Sequence, residues 1–358
     1  MNKKTKLSGI GSEFHWSGLP EGPFLPWPIP HLFLALGRDA VCALWGMKKN
    51  KFSRGVLFVP DYFCPDVCKF WKDSGIKIRR YEDDPRWPHP NWHTLTPARG
   101  DCVLAVNYFG VRDGSVWKDW LKGNPRISLV EDHSHDPFSS WAKNSIADFC
   151  FASIRKIFPV PDGAILWSPR RHPMPPELEN RDCSGSALKL AGMILKKEYG
   201  DTKGTSLLLK DTFRKFQVEG EKLLSESKGL NISPWSRYLL LNGIPQSWRI
   251  QRKKNVRLLL ELLQENADFR PLFLDWPLGH CPFNVILVFK TNRYREIFRS
   301  RLISKAVFTP IHWKIDSGKG THVFDLSSRI LTIPVDHRYS SSDLYFIADN
   351  IKEISDGI

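Results

Sequence analysis

Residues Val56–Tyr81 read VLFVPDYFCPDVCKFWKDSGIKIRRY. Val56–Val59 is a short apolar run that is typical of a buried strand, and Tyr62–Asp73 has the amphipathic spacing of a helix, which Gly75 ends. Ile76–Tyr81 has the pattern of a second strand. A strand, a helix and a strand in so short a stretch predict a βαβ unit, in which the two strands are parallel and the helix covers one face of the sheet.

The same alternation continues on both sides of this unit. Four further apolar runs predict strands, at Cys102–Tyr108, Ile127–Val130, Phe149–Ser153 and Ala164–Trp167, and two amphipathic runs predict helices, from Gly37 and over Val116–Lys122. Short apolar strands that alternate with helices are typical of a mostly parallel sheet covered on both faces. We therefore expect the α/β class, with a large domain whose mostly parallel central sheet is flanked by helices.

The C-terminal half has a different pattern. Residues 184–265 predict helices, with an interruption at Gly229–Pro234. Beyond Phe283 the predicted elements are strands at Val285–Phe289, Val307–Ile311 and Arg329–Val335 and helices at Arg293–Lys305 and Asp343–Ile354. The stretch Ser340-Ser-Ser-Asp343 supplies the N-cap of the last helix. A chain of 358 residues suits roughly two domains. We expect an irregular N-terminal arm over 1–30, the large domain over 31–240 and a small C-terminal α+β domain over 245–358.

The composition is that of a folded globular chain. Apolar residues make up 42% of it and charged residues 25%, which excludes disorder, collagen and a coiled coil as overall descriptions. The longest apolar runs are far shorter than the roughly 18–20 residues that a membrane span needs, and no apolar segment follows the basic start of the chain. We expect a cytoplasmic protein with neither a signal peptide nor a membrane span.

The seven cysteines do not form a metal-binding or disulfide pattern. Their number is odd, and the closest pair, Cys64 and Cys68, lies in an apolar, helix-like stretch. This pattern favours buried free thiols, so we expect no metal site.

The net charge of +14 suits an anionic partner, which could be nucleic acid, anionic lipid or an anionic substrate such as a nucleotide sugar. The densest basic cluster, Arg249–Arg257, leads into the amphipathic run Leu258–Leu263, and we interpret it as a solvated helix face. No helix-turn-helix, zinc-finger or RNA-recognition motif accompanies the cluster. We therefore do not expect nucleic acid as a partner.

An acid and a lysine follow two neighbouring predicted strands. Asp132 comes after Ile127–Val130, and Lys156 comes after Phe149–Ser153. Because ligands collect at the carboxyl ends of parallel strands, the two side chains can reach one site. Pyridoxal phosphate (PLP) uses these two residue types, a lysine for a Schiff base and a carboxylate that keeps the pyridine nitrogen protonated. Its phosphate suits a helix start with small residues, such as Leu36–Ala40.

Several motifs follow one another along the chain. They are Gly37-Arg-Asp-Ala40, Pro60-Asp-Tyr-Phe-Cys-Pro65, Val106-Asn-Tyr-Phe-Gly110, Val130-Glu-Asp-His-Ser-His135, the run from Phe149 to Ile165, Phe308–Trp313 and Arg329–Pro334. In their order and spacing they resemble the DegT/StrS-type aminotransferase family, the sugar aminotransferase branch of the fold-type I PLP enzymes. That family commonly has its phosphate-binding serine five residues before the lysine, where this chain has Phe151.

The resemblance implies a role for each candidate residue. Lys156 is the implied Schiff-base lysine and Asp132 the implied partner of the pyridine nitrogen, and these two are the catalytic residues. The implied cofactor contacts are Gly37, Arg38, Asp39 and Ser153 at the phosphate, Tyr62 or Phe63 stacked on the ring, and His135, or else His133, on the cofactor's face. Asn107 and His312 are the implied substrate contacts.

The resemblance also implies an activity, that of a PLP-dependent aminotransferase. Such an enzyme moves an amino group from an amino acid, for example glutamate, to a keto sugar or related keto metabolite. A homodimer is implied as well, with each active site at the subunit interface, to which the arm could contribute. Two alternatives remain open, a PLP-dependent lyase or cyclase with the same site, and a degenerate paralogue that acts as a binding or regulatory protein.

Overall fold

The computed structural model describes residues 9–47, 55–202, 204–263, 266–316 and 321–357. The strands are β1 (Phe24–Leu25), β2 (His31–Leu34), β3 (Leu57–Pro60), β4 (Ile78–Tyr81), β5 (Cys102–Val106), β6 (Ser128–Asp132), β7 (Phe149–Ser153), β8 (Ala164–Trp167), β9 (Ile244–Pro245), β10 (Phe269–Pro271), β11 (Val285–Phe289) and β12 (Ile330–Ile333). Seven of them form the central sheet, in the order β2-β8-β7-β6-β5-β3-β4.

The helices lie between and after these strands. They are α1 (Gly37–Trp45), α2 (Pro65–Asp73), α3 (Ser115–Gly123), α4 (Ser140–Lys143), α5 (Ser184–Asp201), α6 (Leu207–Glu226), α7 (Pro234–Leu240), α8 (Gln246–Leu262), α9 (Asn292–Ser304), α10 (Thr321–Arg329) and α11 (Ser341–Asp356). In the described part of the chain, none of them combines the length and the apolar character that crossing a membrane requires.

The central sheet is mostly parallel, which confirms the predicted α/β class. β4, β3, β5, β6 and β7 run in one direction. β8 is antiparallel to both of its neighbours, so β2 runs in the same direction as β7. β2 was not among the predicted strands, and it brings the start of α1 to the edge where β6 and β7 end.

Both faces of the sheet are buried, as the continuous apolar strands predict. Because successive side chains of a strand point to opposite faces, Leu57 and Val59 pack into one core together with Leu104. Phe58 and Val103, from the same two strands, pack into a second core on the other face. The sheet therefore stands between two apolar cores.

The N-terminal arm lies on its own chain wherever the structure describes it. Its β1 pairs antiparallel with β9. Nearer the start, Ile10 forms a parallel bridge with Val307, and the Trp16 N–H donates to the Met193 carbonyl at 3.0 Å. The sequence left open whether the arm rests on its own domain or on a partner subunit, and these contacts show that residues 9–30 pack on the rest of the same chain.

A second, antiparallel sheet follows the helical segment, in the order β10-β11-β12. Its core packs against α8, α9 and α11, through residues such as Val256, Phe298 and Ile347. The predicted cap of the last helix is confirmed, because Ser340 and Asp343 form a reciprocal capping box at the start of α11. The expected boundary between 240 and 245 stays a prediction.

One predicted strand is wrong. In Val307–Ile311 only Val307 takes part in a β-bridge, and the segment is otherwise irregular. Pro310 has no N–H to give to a sheet. The bridge partner of Val307 is Ile10 of the arm, and β12 contacts the segment through a hydrogen bond from the Thr332 N–H to the Pro310 carbonyl. In the C-terminal part of the chain β10 and α10 were missed: β10 is short and contains a proline, and α10 spans two turns, with Val323 and Leu326 buried.

Candidate active site

Segments that carry the predicted site meet at one edge of the central sheet. β6 ends at Asp132, and its parallel neighbour β7 ends at Ser153 and continues through a 3-10 turn to Lys156. Gly37, the first residue of α1, lies so near that a Cβ on it would be 3.1 Å from the Cβ of Ser153. The glycine thus allows the helix start, with its unsatisfied N–H groups, to lie directly over the strand end.

Two cavities adjoin this edge. The first, which we call the sheet-edge cavity, has a volume of about 420 Å³ and is lined by the start of α1, Phe63, Asp132, Ser153 and Trp313. The second, the arm cavity, has a volume of about 480 Å³ and is lined by residues 11–14 of the arm together with parts of α5, α8 and the C-terminal segments. Four residues lie in the wall that the cavities share: Arg155, Lys156, Glu221 and His312.

Asp132 is held in a fixed orientation. Its Oδ1 accepts the N–H of Ser134 at 2.8 Å, and the residue is buried. A turn in which a carboxylate accepts the N–H two residues on is a common way to fix an aspartate at the end of a strand. In the described part of the chain Oδ2 has no hydrogen-bond partner, so Asp132 presents an acceptor to the sheet-edge cavity.

Lys156 is half-buried and faces both cavities. Its Nζ lies 5.9 Å from the centre of the Trp313 ring, a cation–π contact. Among the described residues no carboxylate oxygen comes within 4.0 Å of this Nζ. An amine without a carboxylate partner at a cavity wall is available for chemistry, in contrast to Lys189, which is paired with Glu221 at 2.5 Å.

Two serines stand at the start of α1. The Ser134 hydroxyl accepts the N–H of Ser153 at 2.9 Å, and both residues line the sheet-edge cavity. Nearby, Arg155 makes a two-bond ion pair with Glu221, at 2.6 and 2.8 Å. The guanidinium is therefore already occupied, and the positive charge at this wall is partly cancelled.

The two candidate stacking aromatics have different surroundings. Phe63 lines the sheet-edge cavity, with its ring 5.7 Å from the ring of Trp313. Tyr62 is fully buried behind it, and its hydroxyl donates to the carbonyl of His312. The geometry therefore favours Phe63 over Tyr62 as the wall that a ring could contact. Trp313, which sequence reasoning did not single out, is a second aromatic wall.

His135 lies one layer behind the sheet-edge cavity. Its ring stacks on Phe283, with centroids 4.6 Å apart, and faces Trp313 at 6.0 Å. Its Nδ1 accepts the N–H of Phe109 at 3.0 Å, which places the ring proton on Nε2. That Nε2 is buried and lacks a hydrogen-bond partner in the described part of the chain. Burial lowers the pKa of His135 well below its ordinary value, so the ring is neutral.

His312 lines both cavities and is also neutral. Burial, and then the positive charge of Lys156, lower the pKa of His312 to about 3. Its Nδ1 lies 2.9 Å from the hydroxyl of Thr332, which fixes the ring. Of the two predicted substrate contacts, this is the one that faces a cavity. Asn107 instead contacts Ser139 and Arg112 in the interior and lines neither cavity.

Of the other two candidates at the phosphate helix, Arg38 lines the sheet-edge cavity and Asp39 does not. Arg38 donates to the carbonyls of Leu224 and Ser225 at the end of α6, and its guanidinium lies 4.0 Å from the Phe70 ring centre. Asp39 is buried and lines neither cavity, and burial raises its pKa to about 7. An anion at the start of α1 would therefore meet backbone N–H groups beside Arg38, whose Nη2 is already bonded to carbonyls, and would not meet Asp39.

A buried group of potential metal ligands lies behind Asp132. Ligand atoms of Glu131, His133 and Cys150 are all within 4.8 Å of one another. They also bond to each other, since His133 Nε2 is 2.8 Å from the Glu131 carboxylate and the Cys150 thiol donates to the same oxygen at 3.4 Å. His133 faces this cluster and lines neither cavity, which leaves His135 as the histidine nearer to the site.

Sequence reasoning was wrong about part of the basic cluster on α8. Lys254 and Arg257 are exposed, as a solvated face requires, but Arg249 pairs with Asp136 at 2.7 Å and Arg252 is buried at the arm cavity. The sequence did contain a pattern that indicates a buried face for these two arginines. Arg249 and Arg252 have the helical spacing that places them on one face with the buried residues Val256 and Leu259.

The residues around the sheet-edge cavity fit pyridoxal phosphate. An amine and a carboxylate face one cavity, the hydroxyls of Ser134 and Ser153 and the first N–H groups of α1 stand at one wall, and Phe63 forms another. These groups suit an aldehyde, a ring nitrogen, a phosphate and an aromatic ring. The absence of a side chain on Gly37 leaves the phosphate wall open. Two carboxylates of the lining, Glu221 and Asp66, have the wrong sign for a phosphate, and the charge of Glu221 is offset by Arg155 and Lys189.

The fold is similar to several solved structures. A DegT DnrJ EryC1 StrS aminotransferase from Brucella abortus has a TM-score of 0.57 at 14% identity, over 91% of this chain and 86% of the other. DesV of S. venezuelae has a TM-score of 0.58 at 13% identity, over 91% and 84%. Spr1654 of Streptococcus pneumoniae, solved in its PLP form, has a TM-score of 0.60 at 14% identity, over 91% and 87%. No family model and no curated protein matches the sequence. At these identities the likeness concerns the fold: the chain has the fold of the DegT/DnrJ/EryC1/StrS-type aminotransferases.

Proposed function

We propose that this protein is a PLP-dependent aminotransferase that moves an amino group from an amino acid to the keto group of a sugar or related metabolite. The observation that carries the proposal is that Asp132 and Lys156 line one cavity at the start of α1. The fold of known aminotransferases supports it, because the site lies where the strands of that fold end.

Pyridoxal phosphate, when bound, supplies an aldehyde that reacts with amines and a protonated ring that withdraws electrons from the bonds of the attached substrate. Asp132 is the residue of this chain that would hold a proton at the ring nitrogen. The N–H of Ser134 fixes the Asp132 carboxylate, which therefore needs no rearrangement to act.

Lys156 would have two tasks. Its Nζ is the amine that would anchor the cofactor, and after release from it the same Nζ would move a proton to and from the substrate carbon. The position of Lys156 in the wall between the cavities suits both tasks, because one cavity can hold a cofactor while the other admits the substrate. His312 is neutral and lies in the same wall, so it can donate or accept a hydrogen bond there without adding charge.

The remaining residues would orient the cofactor. The first-turn N–H groups of α1 and the hydroxyls of Ser134 and Ser153 would bind the phosphate. Phe63 and Trp313 would contact the ring, and their packing excludes water from that side of the cavity. The proposed subunit arrangement is a homodimer, in which the partner would complete the entrance to the site.

A sugar as the amino acceptor rests on the likeness of the fold. DesI, solved in the presence of its TDP-sugar product, has a TM-score of 0.58 at 12% identity, over 91% of this chain and 80% of the other. The net charge of +14 agrees with an acceptor that carries phosphate groups.

The activity is tested by a half-reaction. PLP-loaded protein is mixed with L-glutamate without an acceptor, and 2-oxoglutarate is measured. We expect about one equivalent of 2-oxoglutarate per site, with the cofactor recovered in its amine form, and none with Lys156→Ala. Continuous release of ammonia or carbon dioxide would instead identify a lyase or decarboxylase, and the absence of any product with a panel of amino acids would contradict an aminotransferase.

A further inference from the structure

We infer that the arm cavity binds the carboxylate group of the substrate and that Arg252 is the residue that binds it. The inference rests on the proposed function and extends it, because it names the chemical group by which the amino acid, or the oxo acid made from it, is held. The sheet-edge cavity is left to the cofactor.

The guanidinium of Arg252 is buried without a carboxylate partner. The residue is 6% exposed, and among the described residues no acidic oxygen lies within 4.0 Å of it. Its Nη2 donates to the carbonyl of Ile157 at 3.1 Å, while its Nε has no hydrogen-bond partner. A buried, incompletely satisfied cation is costly, and an anion that enters the cavity would remove that cost.

The acids of the arm cavity are already paired. Glu13 lies 3.2 Å from Lys189, which also pairs with Glu221 at 2.5 Å. Farther along the wall, Asp336 pairs with Arg338 at 2.7 Å. Arg252 and Lys156 remain as the two cations of this lining that have no carboxylate partner in the described part of the chain. The cavity therefore has an excess of positive charge, which favours an anionic ligand.

The position of Arg252 relative to Lys156 fits an amino acid. The carbonyl that Arg252 contacts belongs to Ile157, the residue that follows Lys156 in the chain. Asn284 lies in the same lining, with its Oδ1 accepting the Val335 N–H at 3.1 Å, so its amide N–H groups can turn to the cavity. A guanidinium and an amide near a reactive amine are suited to hold a carboxylate while the substrate's nitrogen faces Lys156.

The test is a calorimetric titration of PLP-loaded protein with glutarate, a dicarboxylate that has no amino group and cannot react. We expect Arg252→Gln to weaken glutarate binding about tenfold or more, since the variant loses a charge-assisted hydrogen bond to the carboxylate. Lys254→Gln is the matched control, because it removes the same charge from an exposed position of the same helix, and it should change binding by less than about twofold. Equal binding by the wild type and Arg252→Gln would overturn the inference.

A second arm of the experiment uses only the wild-type protein, so it does not depend on how well the variant folds. Glutaramide, the diamide of the same shape, should bind about tenfold or more weakly than glutarate, and equal binding would contradict a carboxylate site. Pyrophosphate is titrated as well. If its binding is tighter than that of glutarate and depends on Arg252, the site is one for phosphate groups and the inference is wrong.

Borohydride reduction keeps this result separate from the proposed function. Arg252→Gln should still fix PLP to the protein, because Arg252 does not line the sheet-edge cavity. If the wild type fixes no PLP, the proposed function fails, whereas the glutarate titration of the protein as purified still decides the role of Arg252.

Discussion

The sheet-edge cavity and the arm cavity share a wall but are built in different ways. The sheet-edge cavity is formed mainly by the ends of neighbouring strands and the start of α1, which the topology of the sheet brings together. The arm cavity is assembled from residues 11–14, α5, α8 and the segments around 284, 310 and 336, which are far apart in the chain. This difference indicates that the sheet topology positions the proposed cofactor site. Segments that are distant in the chain form the proposed substrate site.

The two cavities also differ in their charged groups. At the sheet edge an acceptor, Asp132, stands opposite N–H groups and hydroxyls. In the arm cavity each acid is paired with a cation, and Arg252 and Lys156 are left without a carboxylate partner in the described part of the chain. Variants that affect one cavity and spare the other can therefore separate cofactor binding from substrate binding.

Lys156→Ala should have the largest effect, because Lys156 belongs to both cavities. We expect amino transfer to fall by on the order of 10³-fold or more, together with loss of the borohydride-fixed cofactor. The thermal unfolding midpoint should change little, since Lys156 is half-buried and has no carboxylate partner among the described residues. Retained transfer at a rate near that of the wild type would show that another amine is the anchor.

Asp132→Asn should affect the sheet-edge cavity alone. The asparagine oxygen can still accept the Ser134 N–H, so the protein should fold and bind PLP, while transfer slows by about 10²–10⁴-fold because the ring nitrogen loses its acid partner. Glutarate binding in the arm cavity should stay within about twofold. The comparison variant is Asp136→Asn, which breaks the buried pair with Arg249 and should cost roughly 2–4 kcal/mol of stability. If Asp132→Asn is the less stable of the two, Asp132 is structural.

The aromatic walls allow a smaller, matched comparison. Phe63→Leu removes a ring from the sheet-edge cavity and should weaken PLP retention about tenfold, as expected for the loss of one aromatic contact. Tyr62→Phe keeps the ring and removes the hydroxyl that donates to His312, so it should lower stability by about 1 kcal/mol without changing PLP retention. PLP retention is measured by dialysis and absorbance. The opposite pattern would make Tyr62 the residue that contacts the ring.

Asp39→Asn should have the smallest effect on activity, because Asp39 lines neither cavity, but it should change the pH dependence of stability. Burial raises the pKa of Asp39 to about 7, so the folded protein keeps this proton at pH values where the unfolded chain, with a pKa near 3.9, has lost it. The unfolded state then binds fewer protons, and this residue's contribution to stability falls between about pH 4 and pH 7. Denaturant titrations should show that the free energy of unfolding of the wild type falls between pH 4.5 and pH 8 by roughly 2–4 kcal/mol more than that of Asp39→Asn. Equal losses in both proteins would contradict the raised pKa.

Much of the sheet-edge cavity could be predicted from the sequence, because the relevant physics is local. Apolar runs of strand length separated by helices indicate a parallel sheet, and the carboxyl ends of such strands meet. This is sufficient to place Asp132, Ser153 and Lys156 near one another. The small residues at the predicted helix start Leu36–Ala40 added the start of α1, and the glycine contact with Ser153 agrees with it.

The arm cavity could not be predicted, because it depends on contacts between distant segments. Trp313, a wall of the sheet-edge cavity, was missed as well, because it lies in an irregular segment with no periodic pattern and the strand predicted just before it does not form. Arg252 was interpreted as solvated because charged residues are seldom buried, although its spacing to Val256 and Leu259 indicated an inward face. Asn107 was expected at the site from the resemblance of Val106–Gly110 to a family motif, yet its side chain is satisfied by interior partners.

The most direct test of the central claim is borohydride reduction of the PLP-loaded protein followed by peptide mapping. A yellow absorbance band should bleach on reduction, and the fixed cofactor should be found on the peptide that contains Lys156. A colourless protein that PLP does not reconstitute, or an adduct fixed on another lysine such as Lys189, would contradict the assignment of the sheet-edge cavity as a PLP site anchored by Lys156.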